Sequence, residues 1–166
     1  MITATLFPGK YIQGSGAIDD LSSWAGRYGK KAFIIASPSS FDHLLPPMLA
    51  AMDASFPVTA EKFARECSDE EIARLKDMAV RKGSDVIIGL GGGKTLDTAK
   101  AVASLMNVPV ILAPTIASTD APCSCLSVIY RPDTGRIKRV LMMRQNPDVV
   151  LVDTKVIAAS PERFLV

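Results

Sequence analysis

Lys94 stands directly behind three consecutive glycines, Gly91, Gly92 and Gly93, and in front of Thr95. Glycines remove the Cβ atoms from a turn, so a ligand can come close to its backbone. Before them, Val86 to Leu90 is an apolar run of the length of a buried strand. Behind them, Lys94 to Met106 has helical spacing, with Leu96, Ala99, Val102, Ala103 and Met106 on one broad face. The pattern predicts a helix mouth at a strand end, where main-chain N–H groups lack partners and the helix dipole is positive. That suits an anion such as a phosphate, and Lys94 adds a full positive charge. The plain alternative is a tight strand-to-helix turn without a ligand, but three glycines in a row carry an entropy cost that such a turn rarely needs.

Two familiar nucleotide motifs come close and fail. A P-loop ending at Gly93-Lys94-Thr95 requires glycine at position 88, which is Ile88. The Gly-x-Gly-x-x-Gly pattern requires glycine at Lys94 or at Leu96, depending on where it starts.

The elements that must carry this turn alternate. Residues 1–12 read as an extended entry with a turn at Pro8-Gly9, and a helix is expected from Ala17 to Tyr28, closing at Gly29. Lys31 to Ala36 is a buried strand, and a helix follows through Leu44 to Met52, its start disturbed by Pro46-Pro47. Val58 to Phe63 is a short strand. Ser68 with Glu71 is a capping box for a helix that stops at Gly83. Pro109 to Ala113 is another strand. Strands this apolar, alternating with helices, predict an α/β fold: a doubly wound, mainly parallel sheet with helices on both faces. Ligands of such sheets lie beyond the carboxyl ends of the strands, and Ser37, Gly91 to Gly93 and Pro114-Thr115 fall there. Leu126 to Tyr130 and Ile137 to Met142 flank a turn and predict a β-hairpin; Val149 to Asp153 is a last strand. Ser160-Pro161-Glu162 is a helix start near the last residue, as expected of a chain that continues.

The whole chain of 166 residues has the size of one domain, with 48% apolar and 22% charged residues. A net charge of +2 is too small to argue for nucleic acid or a membrane surface, and neither is expected as a partner. No apolar run approaches a membrane span, and no signal-peptide pattern is seen. The cysteines, Cys67, Cys123 and Cys125, are odd in number and form no Cys-x-x-Cys pair, which fits a reducing cytoplasmic setting. Cys123 and Cys125 read as buried small residues facing opposite ways. His43 is the only histidine and reads as a surface or cap residue. Asp153 imitates a Walker-B acid, but with no P-loop a strand-end cap is the better reading.

Gly91-Gly92-Gly93-Lys94-Thr95-Leu96-Asp97-Thr98-Ala99-Lys100, followed by Pro114-Thr115-Ile116-Ala117-Ser118-Thr119-Asp120-Ala121-Pro122, resembles the glycerol dehydrogenases, part of the iron-containing alcohol dehydrogenase and dehydroquinate synthase superfamily. Pro8 to Gly14, Glu66-Cys67-Ser68 and Ser127 to Tyr130 add to the match. The resemblance implies NAD-dependent oxidation of glycerol to dihydroxyacetone, a bound zinc ion and a homo-oligomer. It implies that residues 1–158 are an NAD-binding domain and that 159–166 begin a link to a helical metal-binding domain. By position it implies Gly92, Gly93 and Lys94 at the pyrophosphate, Thr115 and Ser118 on the adenine side, and Ser124, Leu126 and Tyr130 around the nicotinamide half. Asp97 is a candidate for the nicotinamide ribose, and Asp120 for the substrate hydroxyls. Read without the resemblance, Asp97 is also a helix-dipole acid, Asp120 an Asx-turn residue, and Leu126 and Tyr130 hairpin core. Relatives carry an acid for the adenine ribose where this chain has Ser37, so a weaker preference for NAD over NADP is expected. The zinc ligands of the family, an aspartate and two histidines, lie beyond residue 166, so no residue of the chain is taken as a metal ligand or a catalytic group, and the piece alone is expected to be inactive. A related polyol or glycerol-phosphate dehydrogenase, or a nucleotide-binding module without catalysis, are the other readings.

Overall fold

In the computed structural model, which describes residues 5–164, a six-stranded parallel sheet forms the centre. Its strands are β1 (Lys10–Gly14), β2 (Ala32–Ala36), β3 (Val58–Lys62), β4 (Val86–Gly91), β5 (Val110–Pro114) and β8 (Val149–Asp153). They lie in the order β1-β8-β5-β4-β2-β3. Every residue of β2, β4 and β5 is buried, as uninterrupted apolar runs require when both sheet faces are covered. Alternate side chains serve opposite layers. Phe33 and Ile35 pack with α3 (Asp69–Lys82) and α4 (Gly93–Met106). Ala32, Ile34 and Ala36 pack with α1 (Leu21–Ala25) and α2 (Leu45–Ala51). A short helix α5 (Thr154–Ala158) follows the last strand, and β6 (Leu126–Tyr130) with β7 (Ile137–Met142) makes the separate antiparallel hairpin.

Several elements differ from expectation. β1 is a true edge strand paired with β8, where the sequence suggested only an extended entry. The helix expected over Ala17 to Tyr28 is a 3-10 turn at Ala17–Asp20 followed by the five residues of α1. The Asp153 carboxylate accepts from Gly16 N–H and Ile18 N–H, fixing the entry turn, and the chain leaves the helix at Gly26. Pro46 and Pro47 do not disturb their helix so much as widen the turn before it. Ser40–Leu44 is a π-turn in which Leu45 N–H bonds to Ser40 O, carrying the chain into the donor-free prolines. The helix start at Ser160 is a 3-10 turn, Glu162–Phe164; residues 165–166 lie outside the described residues.

The capping elements behave as their residues dictate. Ser68 Oγ accepts from Glu71 N–H at 3.2 Å, and Gly83 closes α3 at φ 66°. Asp69, in the first turn of α3, holds Lys138 at 2.7 Å and Arg139 at 2.8 Å, which ties the hairpin to the α3 end of the molecule. Asp153 is the strand-end cap, its carboxylate also accepting from Lys155 N–H at 2.8 Å.

Strand order reverses between β2 and β4: β3 lies on one side of β2, and β4, β5 and β8 on the other. Such a reversal opens a crevice at the carboxyl ends of the two strands. Ser37 and Gly91 are the residues there. Gly91 has φ 155°, and a Cβ on it would lie 2.8 Å from the Ser37 Cβ. Glycine is therefore required for the two strand ends to close together.

Candidate functional site

Helix α4 starts at this crevice without a side-chain cap, and Gly92 is its N-cap residue. The first-turn amides thus have no side-chain acceptor among the described residues, and Gly92 and Gly93 remain partly exposed. The glycines serve packing as well. A Cβ at Gly92 would meet Ile116 Cδ1 at 2.9 Å, and one at Gly93 would meet Thr119 Oγ1 at 2.9 Å. So the loop after β5 rests on the turn, and Thr115 N–H donates to Gly91 O at 3.0 Å. Gly89 has a similar packing reason: its missing Cβ would lie 2.8 Å from Ala99, where α4 approaches β4.

A cleft of about 440 Å³ opens beside the helix mouth. Gly93, Lys94 and Asp97 form one wall, Ile116 and Ser118 to Ala121 another, and Ser124, Leu126, Val128 and Tyr130 the third. Sequence reasoning named eight of these: Gly93, Lys94, Asp97, Ser118, Asp120, Ser124, Leu126 and Tyr130. Gly92 and Thr115 adjoin the cleft through the turn, whereas Ser37 lies across Gly91, at the β2 end. Ser37 Oγ is 2.7 Å from Ser40 Oγ, and Ser37 N–H donates to Leu90 O at 2.9 Å.

Lys94 is half exposed. Its ammonium pairs with Glu66 at 2.7 Å and lies 4.6 Å above the Tyr130 ring. Asp120 lies exposed at the start of the 3-10 turn Ala121–Cys123, and its carboxylate has no hydrogen-bond partner among the described residues. The turn is instead held by Thr119 Oγ1, which accepts from Ala121 N–H at 3.2 Å. A free carboxylate facing a cleft can accept hydrogen bonds from ligand hydroxyls. Asp97 is different. One oxygen pairs with Lys100 at 2.9 Å and the other accepts from Val128 N–H at 3.0 Å, so its carboxylate is already bound within the fold.

Other candidates resolve simply. Cys67 is buried, and its burial pushes the thiol up to about 12. Cys123 is exposed and Cys125 partly so, contrary to the expectation that both are buried; Cys123 ends the 3-10 turn and Cys125 lies between it and β6, both outside the packed core. His43 is exposed on the π-turn before α2. Among the described residues no three His, Cys, Asp or Glu side chains converge as metal ligands. Nor is any described helix long and apolar enough to cross a membrane.

Sequence reasoning missed Glu66 as the partner of Lys94, and it missed Lys100. A signal for Lys100 exists: it is a lysine inside a run, Thr95 to Ala103, where every residue is buried, and it follows Asp97 at i,i+3 spacing. The burial of α4 on nearly all sides also exceeds the single apolar face expected of it, because the hairpin and α3 cover what the sheet does not.

A parallel sheet with an open helix mouth at its strand-order reversal, flanked by a lysine and a polar cleft, is the architecture of a Rossmann-like α/β domain. The chain belongs to the iron-containing alcohol dehydrogenase family, whose profile matches residues 8–154. It is 51% identical to a glycerol dehydrogenase of Thermotoga maritima over all of this chain and 45% of the relative. It is 45% identical to a glycerol dehydrogenase of Escherichia coli O6:H1 over 95% of this chain and 43% of the relative. The crystal structure of a probable glycerol dehydrogenase from Sinorhizobium meliloti superposes with a TM-score of 0.90 at 41% identity, covering 99% of this chain and 44% of that one. The chain thus spans about half the length of the relatives it matches.

Proposed function

We propose that this chain is the cofactor-binding half of an NAD-dependent glycerol dehydrogenase, which oxidises glycerol to dihydroxyacetone. One observation carries the reading: the uncapped mouth of α4, with Lys94 beside it, opens into the same cleft as the unpartnered Asp120 carboxylate. The dinucleotide diphosphate is received by the Gly92, Gly93 and Lys94 amides and the Lys94 ammonium. Thr115 and Ser118 serve the adenine side. Ser124, Leu126 and Tyr130 surround the nicotinamide half, and Asp120 accepts from the polyol hydroxyls. Asp97 acts from behind, holding β6. NAD supplies the hydride acceptor when bound.

Zinc, in this reading, would be held by residues outside this chain and would supply a Lewis acid for the substrate hydroxyl. The relatives named above as glycerol dehydrogenases support the substrate, and each is more than twice as long as this chain. Residues 1–158 are read as the cofactor domain, with 159–166 leading toward the metal-binding half. The complete enzyme is read as a cytoplasmic homo-oligomer, a setting in keeping with three free thiols. Ser37 lacks the charge that would repel a 2′-phosphate, so NADP is accepted more readily than by relatives with an acid there.

The test has two arms. NADH fluorescence is titrated with the 166-residue chain, and glycerol-dependent NADH formation is then followed in the full-length protein with zinc added. Binding to the chain and turnover by the full-length protein are expected. Cofactor binding that is unaffected by Lys94→Met would place the diphosphate elsewhere and overturn the reading.

A further inference from the structure

We propose that Lys100 is a positioning residue that sets the distance between the diphosphate end and the substrate end of the cleft, an inference that rests on the proposed function. Lys100 lies in the middle of α4 and is 1% exposed. Its ammonium donates to the backbone oxygens of Ala121 at 2.7 Å, Ser124 at 3.2 Å and Leu126, and it pairs with Asp97. Asp97 in turn accepts from Val128 N–H, and its backbone oxygen accepts from Ser127 Oγ at 2.9 Å. Residues 121, 124, 126, 127 and 128 are therefore all fastened to one turn of one helix.

The segment's other hydrogen bonds do not reach α4: Cys123 N–H donates to Asp120 O, Asn146 Nδ2 donates to Cys123 O at 2.9 Å, Met143 N–H donates to Cys125 O, and residues 126–128 pair with β7. It carries or adjoins Asp120, Ser124 and Leu126, three of the residues assigned to the cofactor and the polyol. The same helix presents Gly93 and Lys94 at its mouth. A helix is stiff over this length, so fastening the segment to it relates the two ends of the cleft to one rigid body. Burying an ammonium and a carboxylate carries a desolvation cost, and an apolar residue would fill the space with less of it. A lysine reaches three carbonyls that an apolar side chain would leave unpaired.

The experiment uses the full-length protein with Lys100→Met, and Val102→Ala as a control for loss of α4 packing alone. ADP, which reaches only the diphosphate end, is the binding probe beside glycerol kinetics. The Lys100→Met protein is expected to bind ADP within about twofold of wild type, while the KM for glycerol rises about tenfold or more. Hydrogen exchange in residues 119–128 is expected to quicken in Lys100→Met and not in Val102→Ala. If Lys100→Met does not fold, Lys100→Arg, whose planar head cannot point at three converging carbonyls, is read by the same measures. Unchanged glycerol KM, unchanged exchange in 119–128, or ADP and glycerol affinities falling together as in Val102→Ala would each overturn the proposal. If wild-type protein binds ADP but does not oxidise glycerol, the proposed substrate is wrong; the exchange comparison still decides whether Lys100 holds the segment.

Discussion

The Lys94 ammonium lies 2.7 Å from the Glu66 carboxylate, so the cation at the α4 mouth already has an anion beside it. Tyr130 lies below the same ammonium at 4.6 Å. The side chain is thus held over the cleft by a pair on one side and a ring on the other. In the proposed reading, a diphosphate entering the helix mouth would compete with Glu66 for it.

Replacing Glu66 by Gln removes that competition. The pair is partly exposed, with side chains 46% and 25% accessible, so its worth is modest, about 0.2–1 kcal/mol. Affinity for NADH is expected to rise by up to about fivefold at low salt, with the difference shrinking as salt is added. Fluorescence titration at two ionic strengths measures it. Weaker binding in Glu66→Gln would mean that Glu66 helps to hold the cofactor and does not compete with it.

Ser37→Asp restores a carboxylate at the end of β2. Its gain is charge-assisted bonding to ribose hydroxyls, and its penalty falls on a 2′-phosphate. The ratio of NAD to NADP affinity is expected to increase by about tenfold or more. Paired titrations with both cofactors in wild type and variant decide the point; an unchanged ratio removes Ser37 from the specificity argument.

Acid should unfold the protein through particular carboxylates. Burial alone would raise the Asp153 pKa, but the N–H groups of Ile18, Lys155, Gly16 and Val156 outweigh it and leave it below the usual 3.8. Asp85 is likewise lowered, with burial opposed by Lys30 and Lys31 N–H. Because both folded values lie below the unfolded one, their stabilisation is complete above 3.8 and is lost as pH falls through the folded values. Urea midpoints should therefore change little from these two groups at neutral pH and drop in strongly acidic buffer. Asp153→Asn should lower stability at neutral pH by about 1–3 kcal/mol and flatten part of the acid slope. A slope identical to wild type would assign the acid sensitivity to other groups.

Gly89→Ala tests the approach of α4 to the sheet. The added Cβ would lie 2.8 Å from Ala99 Cβ and 3.0 Å from Leu112 Cδ2. Overpacking of this kind costs about 1–3 kcal/mol, to be read as a lowered urea midpoint at an unchanged slope. A neutral result would show that α4 can shift outward, in which case ADP binding at its mouth should weaken instead.

Much of the fold was legible because its signals are local. Apolar, β-branched runs such as Ala32 to Ala36 and Val86 to Leu90, bounded by turn residues, read as buried strands and are, and Ser68 with Gly83 brackets α3 by cap chemistry. The shortened helix after Ala17 and the π-turn before Pro46 were not legible. The first depends on Asp153, 135 residues away from Ile18, and the second on how the chain accommodates two missing donors.

By itself the sequence determined that an uncapped helix mouth would sit at a strand end, because glycine spacing, apolar periodicity and Lys94 are all neighbours in the chain. Tertiary structure alone decided what each polar side chain is free to do. Lys94 meets Glu66 across 28 residues, Lys100 meets Leu126 across 26, and Asp97 is consumed by Val128 while Asp120 is left open. Hydrogen-bond capacity is spent on whichever group lies nearest in space, and nearness between distant segments is set by the packing of α4 against the hairpin, which no local pattern encodes.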